Sequence, residues 1–312
     1  MKYSKTGLPV HPADKFAEVY QDILDRSRRG KELSVSFLPT LDAKIWGLKR
    51  KKLVTVGGRP SQGKSNLLVS LAYTFAQQGK VVLFFTFEMT IEECIERLIA
   101  NYCEIDNFLL LSGRVADVID LHKEKIKAFY NELSKLHIVF VAGIGKTFDE
   151  LFELIETYDK PVDAVFVDYV QMVKSPRQQS TKEVIDDYIL KLGEYAIDRN
   201  FCAVIGSQIS RGTYDGNKVY PPDMWHLKSS GNLEETSDMV ILLHWEYWYT
   251  REEGDKNKYW IRVAKNRGGR TGVFECTIQP EFNRIGEDYG LLQEHNGTTG
   301  MSKYRERADV FG

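Results

Sequence analysis

The 312-residue sequence has little with which to build a metal centre or a disulfide framework. Its four cysteines, Cys94, Cys103, Cys202 and Cys276, form no C-x-x-C pair, and apolar periodic surroundings mark most of them as reduced core thiols. The six histidines are scattered, which also argues against a metal site. A signal-peptide pattern and an apolar run of membrane-spanning length are both lacking, so the expectation is a cytoplasmic protein. Charge of one sign is not in excess. The formal net charge is −2, so contact with nucleic acid has to come from local loops rather than from a global basic field. Internal repeats and low-complexity linkers are lacking too. What remains is 43% hydrophobic and 28% charged residues, enough for a sizeable core in one large domain or two.

One stretch organises the rest. Gly58-Arg59-Pro60-Ser61-Gln62-Gly63-Lys64-Ser65 matches the phosphate-binding loop G-x-x-x-x-G-K-[ST] at every fixed position. The glycines permit turns that aim successive N–H groups at phosphate oxygens. Lys64 supplies a point charge to the β/γ-phosphates and Ser65 a hydroxyl to Mg²⁺. Leu53-Val54-Thr55-Val56 reads as a buried strand feeding this loop. Leu67, Leu68, Leu71, Ala72, Phe75 and Ala76 recur at helical spacing, so a helix opens at Lys64 with its positive dipole end on the anion. The pattern predicts a nucleoside-triphosphate site.

Ahead of that core, Phe16, Val19, Tyr20, Ile23 and Leu24 predict an amphipathic helix after Pro12, ended by Gly30. Arg26, Arg28 and Arg29 suit the dipole of its last turn. Lys49-Arg50-Lys51-Lys52 reads as a solvated loop, with a nucleic-acid patch as the alternative. From residue 53 strands alternate with helices, the signature of a mainly parallel sheet covered on both faces. Thr90-x-x-Glu93, Thr147-x-x-Glu150 and Ser180-x-x-Glu183 read as capping boxes. A helix is expected from Asp117 to Leu136. Tyr259–Lys265 and Thr271–Ile278 are expected to pair as a hairpin turning at Gly268-Gly269. The expected divisions are an arm and helix over 1–34, an ATPase domain over 35–289 and a polar tail over 290–312.

Three polar residues end apolar strands, at the edge where α/β sheets bind ligands. Asp168 after Ala164-Val165-Phe166-Val167 delivers a carboxylate to a Mg²⁺ shell. Glu88 after Phe84-Phe85-Thr86-Phe87 is placed to polarise an attacking water, or else to sit as an acid at a helix N-terminus. Gln208 after Val204-Ile205-Gly206-Ser207 is placed to sense the γ-phosphate, or is a simple strand-end amide. Two long loops leave the same edge. The first carries Lys174 and Arg177, the second Arg211, Lys218 and Lys228, and both suit a grip on a phosphate backbone. Lys265-Asn266-Arg267-Gly268-Gly269-Arg270 puts three cations on one turn, which is either solvated or a source of an arginine finger for a neighbouring subunit.

This set of motifs resembles the DnaB-type hexameric replicative DNA helicases of bacteria and their phages, over roughly residues 35 to 286. Its carriers are the phosphate loop, Phe87-Glu88-Met89, Val167-Asp168-Tyr169-Val170-Gln171-Met172, Ser207-Gln208-Ile209, Ser230-Gly231-Asn232-Leu233-Glu234-Glu235 through Asp238, and Lys265-Asn266-Arg267-Gly268-Gly269. The resemblance implies a RecA-like P-loop NTPase core with an N-terminal linker helix that docks on the next subunit. It also implies a homohexameric ring with ATP and Mg²⁺ at each subunit boundary, translocating 5′ to 3′ on single-stranded DNA. Residues 58–65 then bind nucleotide, Glu88 is the catalytic base, and Asp168 holds Mg²⁺ and water. Gln208 couples the γ-phosphate to DNA, while Lys265 and Arg267 act in trans. Lys174, Arg177, Arg211, Lys228, Ser229 and Gly231 fall in the DNA-contacting segments. Two departures stand out. About 35 residues precede the core where the family usually has a helical domain used with primase and loaders, an architecture that suits phage or plasmid replication. The common Arg-Glu-Ser-Gly is Lys228-Ser229-Ser230-Gly231, which keeps a point charge but not a bidentate fork. A recombinase-like filament former and a nucleotide-gated scaffold are the competing readings.

Overall fold

The computed structural model describes residues 11–114, 116–172, 181–210, 221–227, 230–251 and 256–287. Contacts divide the chain into two units, Met1–Glu32 and Leu33–Gly312.

Among its described residues the first unit holds one helix, α1 (Pro12–Arg29), opened by His11, whose ring nitrogen accepts from Ala13 N, and closed by Gly30 at φ 71°. Pro12 fits its first position because that N–H has no helical acceptor. Phe16, Val19, Tyr20 and Ile23 make an exposed apolar stripe along it.

The second unit runs α2 (Pro39–Ile45), β1 (Lys52–Gly58), α3 (Lys64–Gln77), β2 (Val82–Thr86), α4 (Ile91–Cys103), α5 (Asn107–Leu111), α6 (Ala116–Leu133), β3 (Ile138–Ala142), α7 (Phe148–Thr157) and β4 (Ala164–Asp168). It continues with α8 (Thr181–Asp198), β5 (Cys202–Gln208), α9 (Ser230–Thr236), β6 (Met239–His244), α10 (Tyr247–Thr250), β7 (Lys258–Asn266), β8 (Gly272–Gln279) and β9 (Arg284–Gly286). The strands form one sheet in the order β3-β2-β4-β5-β1-β6-β7-β8-β9. The first six in that order are parallel and the last three antiparallel.

The parallel strands are buried on both faces, which is why they appear in the sequence as continuous apolar runs. Val54, Val56, Phe84, Phe166 and Val204 pack with α3, α4 and Phe129 of α6. Their neighbours Leu53, Leu83, Phe85, Val165 and Ile205 face the other way, onto Phe148, Phe152, Ile185, Ile189 and Leu192 of α7 and α8. The capping boxes at Thr90 and Thr147 are formed in full, whereas Ser180 lies outside the described residues. The hairpin forms as β7 and β8, and α6 stops at Leu133 rather than Leu136.

The domain closes on α2. Asp42 accepts from Ser34 Oγ at 2.6 Å and from Val35 N at 2.7 Å. At the N-terminus of the same short helix, the Glu287 carboxylate accepts from Thr40 N at 2.9 and 3.0 Å and from Leu41 N at 3.3 Å.

Candidate nucleotide-hydrolysis site

The register of the sheet brings the strand-end residues together. Thr86 pairs with Asp168, Val167 with Ile205, Val56 with Gly206 and Gly58 with Gln208. The phosphate loop, Glu88, Asp168 and Gln208 therefore share the C-terminal edge of four adjacent strands.

In the loop, Gly63 has φ +79°, a conformation that L residues rarely adopt, and a Cβ there would lie 2.9 Å from Ile285 Cδ1. No side chain caps α3, so its first N–H groups are free to face an anion. The loop is anchored from behind by Gln62. Its buried side chain accepts from Trp245 N at 2.8 Å and donates to Trp245 O at 3.3 Å, and its carbonyl accepts from the Tyr259 hydroxyl. Gln62 thus serves the loop through its backbone, its amide being committed to the end of β6.

Lys64 and Asp168 form the centre. Lys64 Nζ donates to Asp168 Oδ1 at 2.7 Å and lies 4.1 Å from the centroid of the Tyr169 ring. Asp168 is fully buried, with room made by Gly206, where a Cβ would sit 2.9 Å from Oδ1. Among the described residues, Asp168 Oδ2 is buried without a hydrogen-bond partner. A buried carboxylate oxygen in that condition is costly unless a ligand completes it. Together with the Ser65 hydroxyl on the first turn of α3, it is an oxygen donor set suited to Mg²⁺.

Glu88 is exposed at the mouth of this cluster, two residues past the end of β2. Partial burial raises its carboxyl above the ordinary range; Lys64 opposes that rise and Asp168 reinforces it. A raised carboxylate facing a cation and a neighbouring acid is what a general base poised for water activation requires. The Gln208 amide donates to the Tyr169 hydroxyl at 3.4 Å, and its backbone N–H donates to Gln171 Oε1 at 3.3 Å. Gln171 in turn donates to Ser207 Oγ at 2.9 Å. A chain of contacts so runs from Gln208 through Tyr169 to Lys64.

A model of the DnaB-like helicase C terminal domain family matches residues 35–287. The chain belongs to this family. Among curated relatives, one described as a "probable plasmid replicative DNA helicase" of Chlamydia psittaci is 29% identical over 255 residues, covering 79% of this chain and 53% of that protein. The replicative DNA helicase DnaB of Haemophilus influenzae is 26% identical, covering 78% and 53%. The chain spans about half the length of these relatives. In fold it resembles a solved structure described as an ATPase domain, with a TM-score of 0.79, 23% identity and coverage of 90% of this chain and 100% of that one. A DnaB-like replicative helicase, described with its interactions with primase, superposes at a TM-score of 0.78 with 24% identity, covering 90% and 67%.

In this DnaB-like domain Lys265 and Arg267 stand away from the cluster. Arg267 N donates to Asp238 O and Asp238 N to Leu53 O, which aligns Arg267 with the start of β1, while Lys265 pairs with Val240 and so lies level with Thr55. The phosphate loop leaves the far end of β1, roughly 16 Å along the strand at about 3.3 Å per residue. The Arg267 side chain does not span that distance. Instead Lys265 Nζ donates to the carbonyls of Glu234 and Glu235, and Arg267 Nη2 to that of Glu235, so both cations cap the C-terminus of α9. Burial lowers the Lys265 pKa, and the adjacent Arg267 adds to the effect. Gly231 lies in the first turn of α9, while Lys174, Arg177, Arg211, Lys228 and Ser229 lie outside the described residues. Among the described residues no group of three or more His, Cys, Asp or Glu side chains is placed to hold a metal ion, and no helix is long and apolar enough to cross a membrane.

Strand-end logic found Glu88, Asp168 and Gln208 but missed Tyr169 as their connector. Its signal in the sequence was its place in the Asp168-Tyr169-Val170-Gln171 segment.

Proposed function

We propose that this chain is the motor of a ring-shaped replicative DNA helicase that couples ATP hydrolysis at subunit boundaries to translocation on single-stranded DNA. One observation carries the reading. The phosphate loop, Glu88, Asp168 and Gln208 gather at one edge of the sheet, while Arg267 stands beside the start of β1, out of reach of the same site, and the Lys265 ammonium is turned onto the α9 carbonyls.

Residues 58–65 cradle the triphosphate, with Lys64 on the β/γ-phosphates. Ser65 and Asp168 would hold Mg²⁺, which when bound would neutralise charge on the phosphate oxygens. Glu88 takes a proton from water as that water attacks the γ-phosphorus and the bond to the bridging oxygen of the β-phosphate breaks, releasing ADP and phosphate, and Asp168 helps to orient the water. Arg267, with Lys265, leaves the α9 cap to meet the phosphates held by the adjacent subunit, a contribution worth about 10³–10⁵ in rate for arginine fingers. Gln208 reports loss of the γ-phosphate to the loops bearing Lys174, Arg177, Arg211, Lys228, Ser229 and Gly231, which hold DNA by its backbone. The apolar stripe of α1 docks on the next subunit of a hexamer. Translocation runs 5′ to 3′ in the cytoplasm of a bacterial host, in phage or plasmid replication, with primase or a loader as further partners.

The deciding measurement is ATP hydrolysis with and without single-stranded DNA, alongside mass by light scattering with a non-hydrolysable ATP analogue. DNA-stimulated turnover by a species near six subunits is expected, followed by unwinding of forked substrates. Turnover from an extended, polydisperse polymer would favour a recombinase-like filament, and no turnover would favour a nucleotide-gated scaffold. Arg267→Ala subunits mixed with Glu88→Gln subunits should regain activity at some interfaces if the finger acts in trans.

A further inference from the structure

Arg97 of α4 is absent from the motifs above, yet it touches three parts of the site. Its Nη1 donates to Asn66 Oδ1, the side chain next to Ser65 on α3, and more distantly to Asn283 Oδ1 at 3.4 Å. Its Nε donates to Met89 Sδ at 3.0 Å. Asn66 closes the triangle, donating to Asn283 Oδ1 at 3.2 Å.

Met89 directly follows Glu88. It is itself pinned to β2, since Met89 N donates to Thr86 Oγ1 at 3.2 Å and Thr86 Oγ1 donates to Met89 O at 2.7 Å. Asn283 is buried in the turn that leads into β9. A single guanidinium thus joins the first turn of the phosphate-loop helix, the Glu88 turn and the turn that leads into β9. The planar fork of arginine donates in several fixed directions at once, which an ammonium group on a flexible stem does not reproduce.

We propose that Arg97 is a positioning residue for hydrolysis, fixing the Glu88 turn against the first turn of α3 through Met89 and Asn66. The proposal rests on the reading of Glu88 as the base. Attack on phosphorus depends steeply on placement, and a displacement of about 1 Å costs on the order of 10²-fold in rate. The charge has a second effect in the same direction. Glu88 faces Lys64 and Arg97 as cations and Asp168 and Glu93 as acids, and the two cations favour its ionised, proton-accepting form.

The test compares Arg97→Ala, Arg97→Lys and Asn66→Ala in the full chain, by steady-state ATP hydrolysis, binding of a fluorescent ATP analogue and thermal melting. For Arg97→Ala, kcat should fall about 10–100-fold while KM and the affinity for the analogue stay within about threefold. Arg97→Lys should recover part of the loss, and Asn66→Ala should fall between. The proposal is overturned if analogue affinity falls as far as kcat, which would mean that Arg97 merely supports the phosphate loop, or if turnover is unchanged. Should Arg97→Ala fail to fold, Arg97→Lys and Asn66→Ala carry the same decision. Glu88→Gln, measured alongside, separates the two readings. Normal turnover in it removes Glu88 from the chemistry and the proposal with it; an inactive Glu88→Gln beside unimpaired Arg97 variants overturns the role of Arg97 alone.

Discussion

The Gln208 side-chain amide lies 3.4 Å from the hydroxyl of Tyr169, whose ring carries the Lys64 ammonium on its face. The end of β5 is therefore linked to Lys64 of the phosphate loop through one aromatic side chain. Tyr169→Phe keeps the ring under Lys64 and removes only the hydroxyl. Basal ATP hydrolysis should stay within about twofold, because that hydroxyl makes one long, neutral hydrogen bond to Gln208. Stimulation by single-stranded DNA should drop several-fold. Equal loss of basal and stimulated rates would mean that Tyr169 serves the chemistry directly.

The Lys64–Asp168 pair makes a second prediction, about stability. Asp168 is fully buried, and its Oδ1 is neutralised by Lys64 at 2.7 Å. Lys64→Ala leaves that carboxylate buried without its counter-ion, at a cost of about 3–5 kcal/mol. The double variant Lys64→Ala/Asp168→Asn removes the orphaned charge and should regain most of the loss. Urea denaturation without nucleotide reads both effects, and additive losses would count against a coupled pair.

Gln62 makes a third. Truncation to Ala leaves Trp245 N buried without its acceptor, so Gln62→Ala should lose about 1–3 kcal/mol of stability and weaken nucleotide binding. The two losses should be seen together, in denaturation curves and in titrations with an ATP analogue. A normal affinity on a destabilised background would show that the loop holds its shape without this anchor.

The raised carboxyl of Glu88 sets a pH dependence. With Glu88 as the proposed base, hydrolysis requires its ionised form, so kcat should fall as pH drops through a midpoint above the ordinary 4.5. The sign for stability is opposite. A carboxyl whose pKa is higher in the folded than in the unfolded state binds protons more readily when folded, so its contribution to stability grows as pH falls. Circular dichroism across the same range should thus show no unfolding to match the lost rate. A fall in kcat that tracks unfolding would remove Glu88 as the cause.

Much of this site was legible because buried parallel strands announce themselves as apolar runs, and the polar residue ending each run is conspicuous. That logic found Asp168, Glu88 and Gln208, and their register places them on one edge. Contacts made across long stretches of chain were not legible. Gln62 meets Trp245 at 183 residues' separation, and Arg97 meets Asn283 at 186. Nothing local distinguishes either from a surface polar residue. α2, α5, α9 and α10 run to seven residues at most, too short to show helical periodicity. With α9 unseen, the resting place of Lys265 and Arg267 on its carbonyls could not be anticipated.

The contacts of Asp42 and Glu287 bring the first and last described stretches of the ATPase domain to the same seven-residue helix. A domain whose ends meet can be rewired. A short linker from just beyond residue 287 back to residue 33 would permit new termini at an exposed turn without disturbing the phosphate loop. Such a circularly permuted chain would present its ends on a different face, opening a route to tandem fusions in which the order of mutant and normal copies is set by the gene.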